Sequence, residues 1–396
     1  MSETYDIIIS GGGVAGLTAA CLFGSEGYRT LCVDPTPPVT DRDAKGADLR
    51  STAFLQPTVR VLERAGVWQK LAAHTMPLQT MRIVDAGGTD GGIRAARDFD
   101  ASEISEMPFG WNLPNWLIRR ELLSRIDELP NVDFRPSIAT TRMLARSAQA
   151  KVWMNDGSTA TAQLVIAADG RDSTLREAAG ISVNTKRYGQ KAMAFAVTHE
   201  IPHNNVSTEI HRTGGPFTLV PLPDYEGKPS SAVVWMERGP EAKRLFELPI
   251  SEFETAMTAR SCDQFGSLRL ASARTIWPII SQIADSFADQ RLALIAEAAH
   301  VVPPIGAQGL NMSLADLQLL LDLSETHSLG SQDMLDIYAK QRRRDVRARL
   351  TGIDLLNRTS MTDAQWLKDI RSKGVALIHD TTPIRKTLMQ LGLGAR

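Results

Sequence analysis

The chain has 396 residues, 43% of them hydrophobic, which is enough to bury a large core, most simply as two domains with room for a helical appendage. A formal net charge of −1 gives no electrostatic ground for a nucleic-acid partner, and Cys21, Cys32 and Cys262 are too scattered for a disulfide frame or a cysteine metal site, as suits a reducing cytoplasm. The first strand starts almost at once, leaving no room for a signal peptide, and no apolar run reaches the ~18 residues of a membrane span; a soluble or surface-attached protein is expected.

Tyr5 to Ser10 is a short apolar, β-rich run of the kind buried on both faces of a sheet, and Gly11, Gly13 and Gly16 follow it as G-x-G-x-x-G. Gly11 suits the tight turn out of the strand, Gly13 lets the main chain approach a pyrophosphate, and Gly16 lets the next helix pack close to the sheet. That helix, over Val14 to Ser25, would aim its free N–H groups and positive dipole end at the phosphates. A second strand, Thr30 to Val33, ends at Asp34, where a dinucleotide fold places a carboxylate on the adenosine ribose. Glycines alone would also suit a phosphate-free strand-turn-helix; strand, glycines, helix and acid together read as a dinucleotide site.

Pro35 to Asp48 is a polar loop that delivers Arg50, which can meet a phosphate or ring edge, or stay solvated. An apolar-periodic helix is expected from about Thr52 to Ala65, ended by Gly66, then a strand over Met81 to Val84. Gly87 to Gly92 reads as a hairpin turn, because no apolar helix follows it. A second dinucleotide would therefore dock without a Rossmann unit of its own. Phe99 to Asn115, with Phe109, Trp111 and the neighbouring Trp116, reads as core more readily than as a pocket wall. Leu117 to Leu129 resumes helical spacing and carries Arg119 and Arg120. A strand follows over Val132 to Phe134, then a hairpin of Ala150 to Met154 and Thr159 to Ala162. Leu164 to Ala168 is an apolar strand that stops at Asp169-Gly170, placing a carboxylate at the carboxyl end of a parallel sheet or capping the next helix.

From Val183 to about Arg274, strand-like segments separated by Gly, Pro and Asn turns suggest an antiparallel sheet: Met193 to Thr198, Thr208 to His211, Phe217 to Pro221 and Ala232 to Glu237. Residues 241–263 read as helical with a break at Pro249, and Ala273 to Ile279 as a strand. The stretch from Arg291 then runs as an apolar strand into Glu297, through His300 and a Pro-Gly loop, to a helix that opens at Gly309 to Asn311 and continues to about Asp322. This repeats the logic of the first motif, a helix N-terminus facing something electron-rich. His300 reads as a packing and locally hydrogen-bonded residue. From Ser331 on, thirteen Lys and Arg stand against seven Asp in helical sequence, a pattern that fits a lipid surface, a protein partner or a solvated face with i,i+4 pairs.

Gly11 to Gly16 with Asp34, then Asp169-Gly170, then Glu297 to Asn311 resemble, in order and spacing, the class A FAD-dependent aromatic hydroxylases. Pro303-Pro304-Ile-Gly-Ala-Gln-Gly-Leu-Asn311 resembles their ubiquinone-biosynthesis branch, and the likeness covers roughly residues 1–350. It implies an α/β fold: a Rossmann-like FAD-binding domain of the GR2 type from 1–75, 116–180 and 275–330, an antiparallel β-sheet substrate domain from 76–115 and 181–274, and C-terminal helices over 331–396. It also implies that Gly11, Gly13, Val14, Ala15 and Gly16 hold the FAD pyrophosphate, Asp34 the ribose, and Arg50 and Arg119 the flavin and pyrophosphate. Asp169 would lie by the pyrophosphate and nicotinamide path, Glu297 by the ribityl or pyrophosphate part, and Pro304 with the amides of Gly309, Leu310 and Asn311 along the isoalloxazine ring. Ala296-Glu297 departs from the usual Gly-Asp, and Asp34 stands where many relatives have Glu.

The implied reaction consumes NAD(P)H and O2, placing one oxygen atom on the ring of a polyprenylated phenol and releasing the other as water. The flavin carries the chemistry, so no side chain is singled out as catalytic and no metal is needed. Phe217, Leu219, Pro221 and Trp235 are the expected walls of the substrate space. The expected setting is cytoplasmic, with the basic end on the inner membrane face or on other quinone-biosynthesis proteins. A reductase or dehydrogenase on the same fold, or a non-catalytic flavoprotein subunit, are the alternatives.

Overall fold

The computed structural model of the chain describes residues 3–86, 92–361 and 379–393. Its first sheet is built on five parallel strands in the order β19 (Leu292–Leu294), β11 (Thr159–Ala167), β1 (Glu3–Ser10), β2 (Thr30–Asp34) and β8 (Val132–Pro136). Antiparallel β18 (Ala288–Asp289) edges β19, and the hairpin of β9 (Thr140–Ala145) and β10 (Ala150–Met154) joins β11 antiparallel, as the Asn-Asp-Gly turn at 155–157 predicts. Ile7, Ile8 and Ile9 are wholly buried, which explains why β1 is apolar without alternation: helices cover both faces of a parallel sheet.

The second sheet runs β20 (His300–Val301), β17 (Thr275–Ala284), β12 (Val183–Thr198), β15 (Lys228–Arg238), β14 (Pro216–Tyr225), β13 (Val206–His211), β5 (Thr80–Asp85) and β6 (Ala95–Asp100), with β16 (Arg269–Leu270) beside β12. Only the β13–β5 pair is parallel. The strand pairing carries this sheet through Ala284, past the division expected at residue 275. Strands β5 and β6 are antiparallel neighbours, as a hairpin requires, while residues 87–91 of the expected turn lie outside the described residues. A third, small sheet, β3 (Ser51–Leu55), β7 (Gly110–Pro114) and β4 (Met76–Leu78), packs against β14 of the second sheet and against the helices that follow it in the fold.

Helix α1 (Val14–Ser25) follows β1 as the glycines require. The helix expected to open at Thr52 opens at Gln56 instead: Ser51–Leu55 is extended because it pairs with β7, and α2 (Gln56–Arg64) begins after it. A short α3 (Trp68–Ala72) precedes α4 (Asn115–Ile126), which packs on α1. Helix α5 (Thr174–Ala178) is capped by Ser173, whose hydroxyl accepts from the Arg176 amide. The pair α6 (Gly239–Glu247) and α7 (Ile250–Arg260), split around Pro249, covers one face of the second sheet. A four-residue α8 (Ala296–Ala299) leads to α9 (Gln308–Ser324), and α10 (Gln332–Met361) and α11 (Thr382–Leu393) complete the described chain.

Candidate cofactor site

Strands β1, β2, β11 and β19 end level with one another. The Gly11 amide donates to the Val33 carbonyl, the Ala168 amide to Ser10 and the Ile295 amide to Ala167. Gly11 to Gly13, Asp34, Asp169 and Glu297, scattered over most of the sequence, therefore stand along one carboxyl edge of one parallel sheet, where ligands bind in such folds. The fifth component arrives with α9, which packs against α1. Asn311 fixes it there: its side-chain amide donates to the Ala53 carbonyl at 2.7 Å and to Ala307, while its oxygen accepts from the Leu55 amide at 2.9 Å and the Thr58 hydroxyl at 2.6 Å.

The glycines differ in what they are for. Gly11 sits at φ +110°, and a Cβ there would run into the Ala168 carbonyl oxygen; a Cβ on Gly16 would run into the Gly11 carbonyl. Both are demanded by the fold. Gly13 is not: its φ is −68°, and a Cβ would meet no atom within 4 Å. The space beside it lies over the first turn of α1, whose leading N–H groups have no intrahelical acceptor and no side-chain cap. Asp34 Oδ2 accepts from the Gly12 amide at 2.5 Å and Oδ1 from Thr36 at 2.7 Å, so the carboxylate is held at the end of β2.

Arg50 and Arg119 meet through Asp48, a residue the sequence reading passed over. Asp48 takes a bidentate pair from Arg50 at 2.8 Å, a hydrogen bond from the Asn115 side chain at 3.0 Å, and Arg119 at 3.5 Å. Burial pushes the Asp48 carboxyl up, but Arg50 and its other partners prevail and hold it below the usual range. Arg119 retains a buried Nε with no partner. Arg50, with Trp277 5.8 Å from its guanidinium, is held charged by Asp48 and also feels Glu297. An acid two residues ahead of an Arg, after a long loop, was the one available signal.

Asp169 accepts from the Leu175 amide at 3.3 Å, while its Oδ1 is buried without a partner and burial raises its pKa. Glu297 is half exposed and pairs with Arg171 at 3.4 Å. Ala296 beside it has φ +53°, the left-handed region, which gives a physical reason for the glycine usual at this place in the resembling family. Pro304 is half-buried, Gly309 exposed and Leu310 half-buried at the open start of α9, whose N-cap residue Ala307 is also left-handed. His300 is sealed away: its Nε2 lies 2.8 Å from Asp316 Oδ2, Arg342 Nε holds Oδ1 at 2.7 Å, and Phe287 stacks on the ring.

The substrate-wall assignments need correction. Phe217, Leu219 and Trp235 are buried among Phe253, Met257 and Leu245 beneath α6 and α7, on the face turned away from the α9 loop. The opposite face, one residue out of register along each strand, carries Ala192, Val234, Met236 and Ile279 against Ile305. Pro221 is buried, and its carbonyl accepts from Asn112. Farther along that face, a cavity of about 430 Å³ opens between β12, β14 and α4, lined by residues including Leu49, Trp116, Leu117, Ala196, Leu222 and Arg42. It lies to one side of the glycine loop, Asp34 and Asp169, none of which lines it.

The arrangement fits FAD: an open cradle at Gly13, two uncapped helix starts and an orphan arginine N–H suit a pyrophosphate and an electron-rich ring. No group of His, Cys, Asp and Glu suited to a metal occurs among the described residues. A model of the FAD binding domain family matches residues 4–352. The chain belongs to that family, in its class A aromatic-hydroxylase branch. It is 30% identical to "Ubiquinone hydroxylase UbiL" of Rhodospirillum rubrum, over 99% of this chain and 90% of that protein. It is 24% identical to the 3-demethoxyubiquinol 3-hydroxylase of Escherichia coli over 99% of each. Among solved structures, p-nitrophenol 4-monooxygenase PnpA from Pseudomonas putida aligns with a TM-score of 0.79, 17% identity, and 100% and 99% of the two chains. The chain is an FAD-dependent monooxygenase.

Proposed function

We propose that this monooxygenase uses NAD(P)H and O2 to hydroxylate the aromatic ring of a polyprenylated phenol in ubiquinone biosynthesis. The observation that carries the reading is the convergence of Gly13, Asp34, Asp169, Glu297 and the start of α9 on one edge, beneath an apolar sheet face, in a chain similar along its whole length to proteins named ubiquinone hydroxylases. FAD, when bound, supplies the electron relay from NAD(P)H and the activation of O2. The Val14, Ala15 and Gly16 amides would hold its pyrophosphate together with Arg119, and Asp34 its ribose. The amides of Gly309 to Asn311 add the positive dipole end of a seventeen-residue helix, suited to a ring that gains negative charge on reduction. Ala192, Val234, Met236, Ile279 and Ile305 exclude water from the face where an aromatic ring would lie. The small residues Ala192, Ala194 and Ala196 continue along β12 to the 430 Å³ cavity, a path for the apolar tail.

Turnover of the FAD-loaded enzyme with a short-tailed prenylphenol under 18O2 tests this. One labelled oxygen in the ring product per NAD(P)H consumed is expected. Oxidation of NAD(P)H with no label in any ring product would favour a reductase, and no turnover on any prenylphenol would favour a non-catalytic role.

A further inference from the structure

A buried polar pair lies on the face of the second sheet that packs against the α9 loop. Asn357, on α10, is fully buried, and its side-chain amide donates to Gln190 Oε1 on β12 at 3.0 Å. Gln190, 2% exposed, in turn donates from Nε2 to the Gly214 carbonyl at 2.7 Å. The chain of bonds fixes the direction of every amide. A carbonyl can only accept, so Gln190 must turn its NH2 toward Gly214; its oxygen then faces Asn357, which must present NH2 in reply. The Asn357 Oδ1 is left over, a buried acceptor with no partner. Leaving such a group unsatisfied is costly, and a native structure that keeps one calls for a ligand or other donor to meet it.

The position of the pair suggests the donor. Ile353, one helical turn before Asn357, joins Ala192, Met236, Ile279 and Ile305 in the apolar cluster between the sheet and the α9 loop. Gln190 is two residues before Ala192 on β12 and so belongs to the same sheet face. The acceptor therefore borders the apolar face where the proposed function puts the aromatic ring, at the end away from the 430 Å³ cavity.

We propose that Asn357, oriented by Gln190, accepts a hydrogen bond from the phenolic hydroxyl of the substrate, so that the ring binds in its neutral, protonated form with its tail directed along β12. This rests on the phenol-hydroxylase reading. A phenol is a good donor and its methyl ether is not, whereas the two rings are nearly alike in shape and apolar surface. Discrimination between them is thus the signature of an acceptor rather than of packing.

The test titrates the FAD-loaded enzyme with a diprenylphenol and with its methyl ether, reading the perturbation of the flavin absorption band. The wild-type enzyme is expected to bind the phenol at least tenfold more tightly. Asn357→Leu should bring the phenol to the level of the ether, with ether affinity and flavin content unchanged; Asn357→Ala, which also cannot accept, serves in its place should the leucine variant lose flavin. Equal binding of phenol and ether by the wild-type enzyme overturns the assignment without any variant. So does a variant that keeps the tenfold preference, and in both cases hydroxylation of the phenol would leave the proposed function standing. If neither compound perturbs the flavin and neither is hydroxylated, the functional reading falls and takes this inference with it.

Discussion

At the scale of single residues, the structure separates glycines that the fold requires from one that it does not. Gly11 cannot become alanine without meeting the Ala168 carbonyl in a backbone conformation that alanine avoids, whereas a Cβ on Gly13 would point into open space. Gly13→Ala should therefore leave the melting temperature of the flavin-free protein within about 1 °C of wild type, in the range of changes that touch nothing. The same change should weaken FAD binding tenfold or more, measured by flavin fluorescence; equal affinity would mean that no phosphate approaches this backbone. Ala296 makes the converse case. It holds φ +53° without being glycine, a strain of roughly 1 kcal/mol for an L residue. Ala296→Gly should relieve most of it, partly offset by the greater chain entropy of glycine, and raise the melting temperature by at most about 1 °C in a calorimetric scan.

At the scale of elements, what was legible in the sequence was what is local. The strand, glycines and helix over residues 5–25 act within a few residues of one another, and so do the Asp-Gly and Pro-Gly punctuation at 169 and 303–309; all appear where expected. Strand β3 was not legible, because its partner β7 lies some sixty residues away and its apolar spacing also fits a helix. Nor was the facing of β14, since a strand's period of two tells only which residues share a side, and the sequence does not say which side α6 and α7 cover. The Asp48 hub depends on α4 being brought beside the loop, a contact no spacing reveals. Asp316 belongs here too. With no exposed side-chain surface, it ties α9 to His300, to the Ala296 amide and to Arg342 of α10. Burial opposes its charge, but His300 and Arg342 outweigh it, so its folded pKa lies below the ordinary 3.8. A depressed carboxyl stabilises the folded state above its unfolded pKa and loses that contribution as pH falls through the folded value. Asp316→Asn, which leaves Arg342 without its buried counter-charge, should cost about 3–5 kcal/mol in denaturant melts at pH 7, and less of the difference should remain below about pH 4. A mutant as stable as wild type at neutral pH would remove this tie as the anchor of α9.

At the scale of the whole molecule, the charge surplus of the C-terminal region changes meaning once partners are assigned. Arg342 and Arg349 are engaged with Asp345, Arg358 with Asp354, and Arg385 with Glu103, so much of the described basic charge is matched by acids at close range. Lys368, Arg371, Lys373 and Arg396 lie outside the described residues. No helix of the described residues is long and apolar enough to cross a membrane. The C-terminal helices expose Lys340, Arg344, Arg347 and Lys386, and beside them large apolar side chains: Leu355 and Leu356 on α10 are 64% and 58% exposed, and Ile384 and Leu388 on α11 are 44% and 43% exposed. Helix α11 is clamped over the second sheet by the Arg385–Glu103 pair and by Met389 packed against Phe99 and Phe109, so these side chains are displayed from a fixed support. Under the proposed function the substrate resides in lipid, and an enzyme drawing on it would gain from a shallow apolar foothold more than from a charged one that salt would screen. Sedimentation of the FAD-loaded enzyme with phosphatidylcholine vesicles should therefore persist in 0.5 M NaCl and rise less than about threefold when anionic lipid is added. Leu355→Ser with Leu356→Ser should cut it by about tenfold, while turnover on a short, water-soluble prenylphenol stays at the wild-type rate. Binding confined to anionic vesicles and abolished by salt would assign the contact to the basic residues instead, and no sedimentation with either vesicle would remove the lipid foothold altogether.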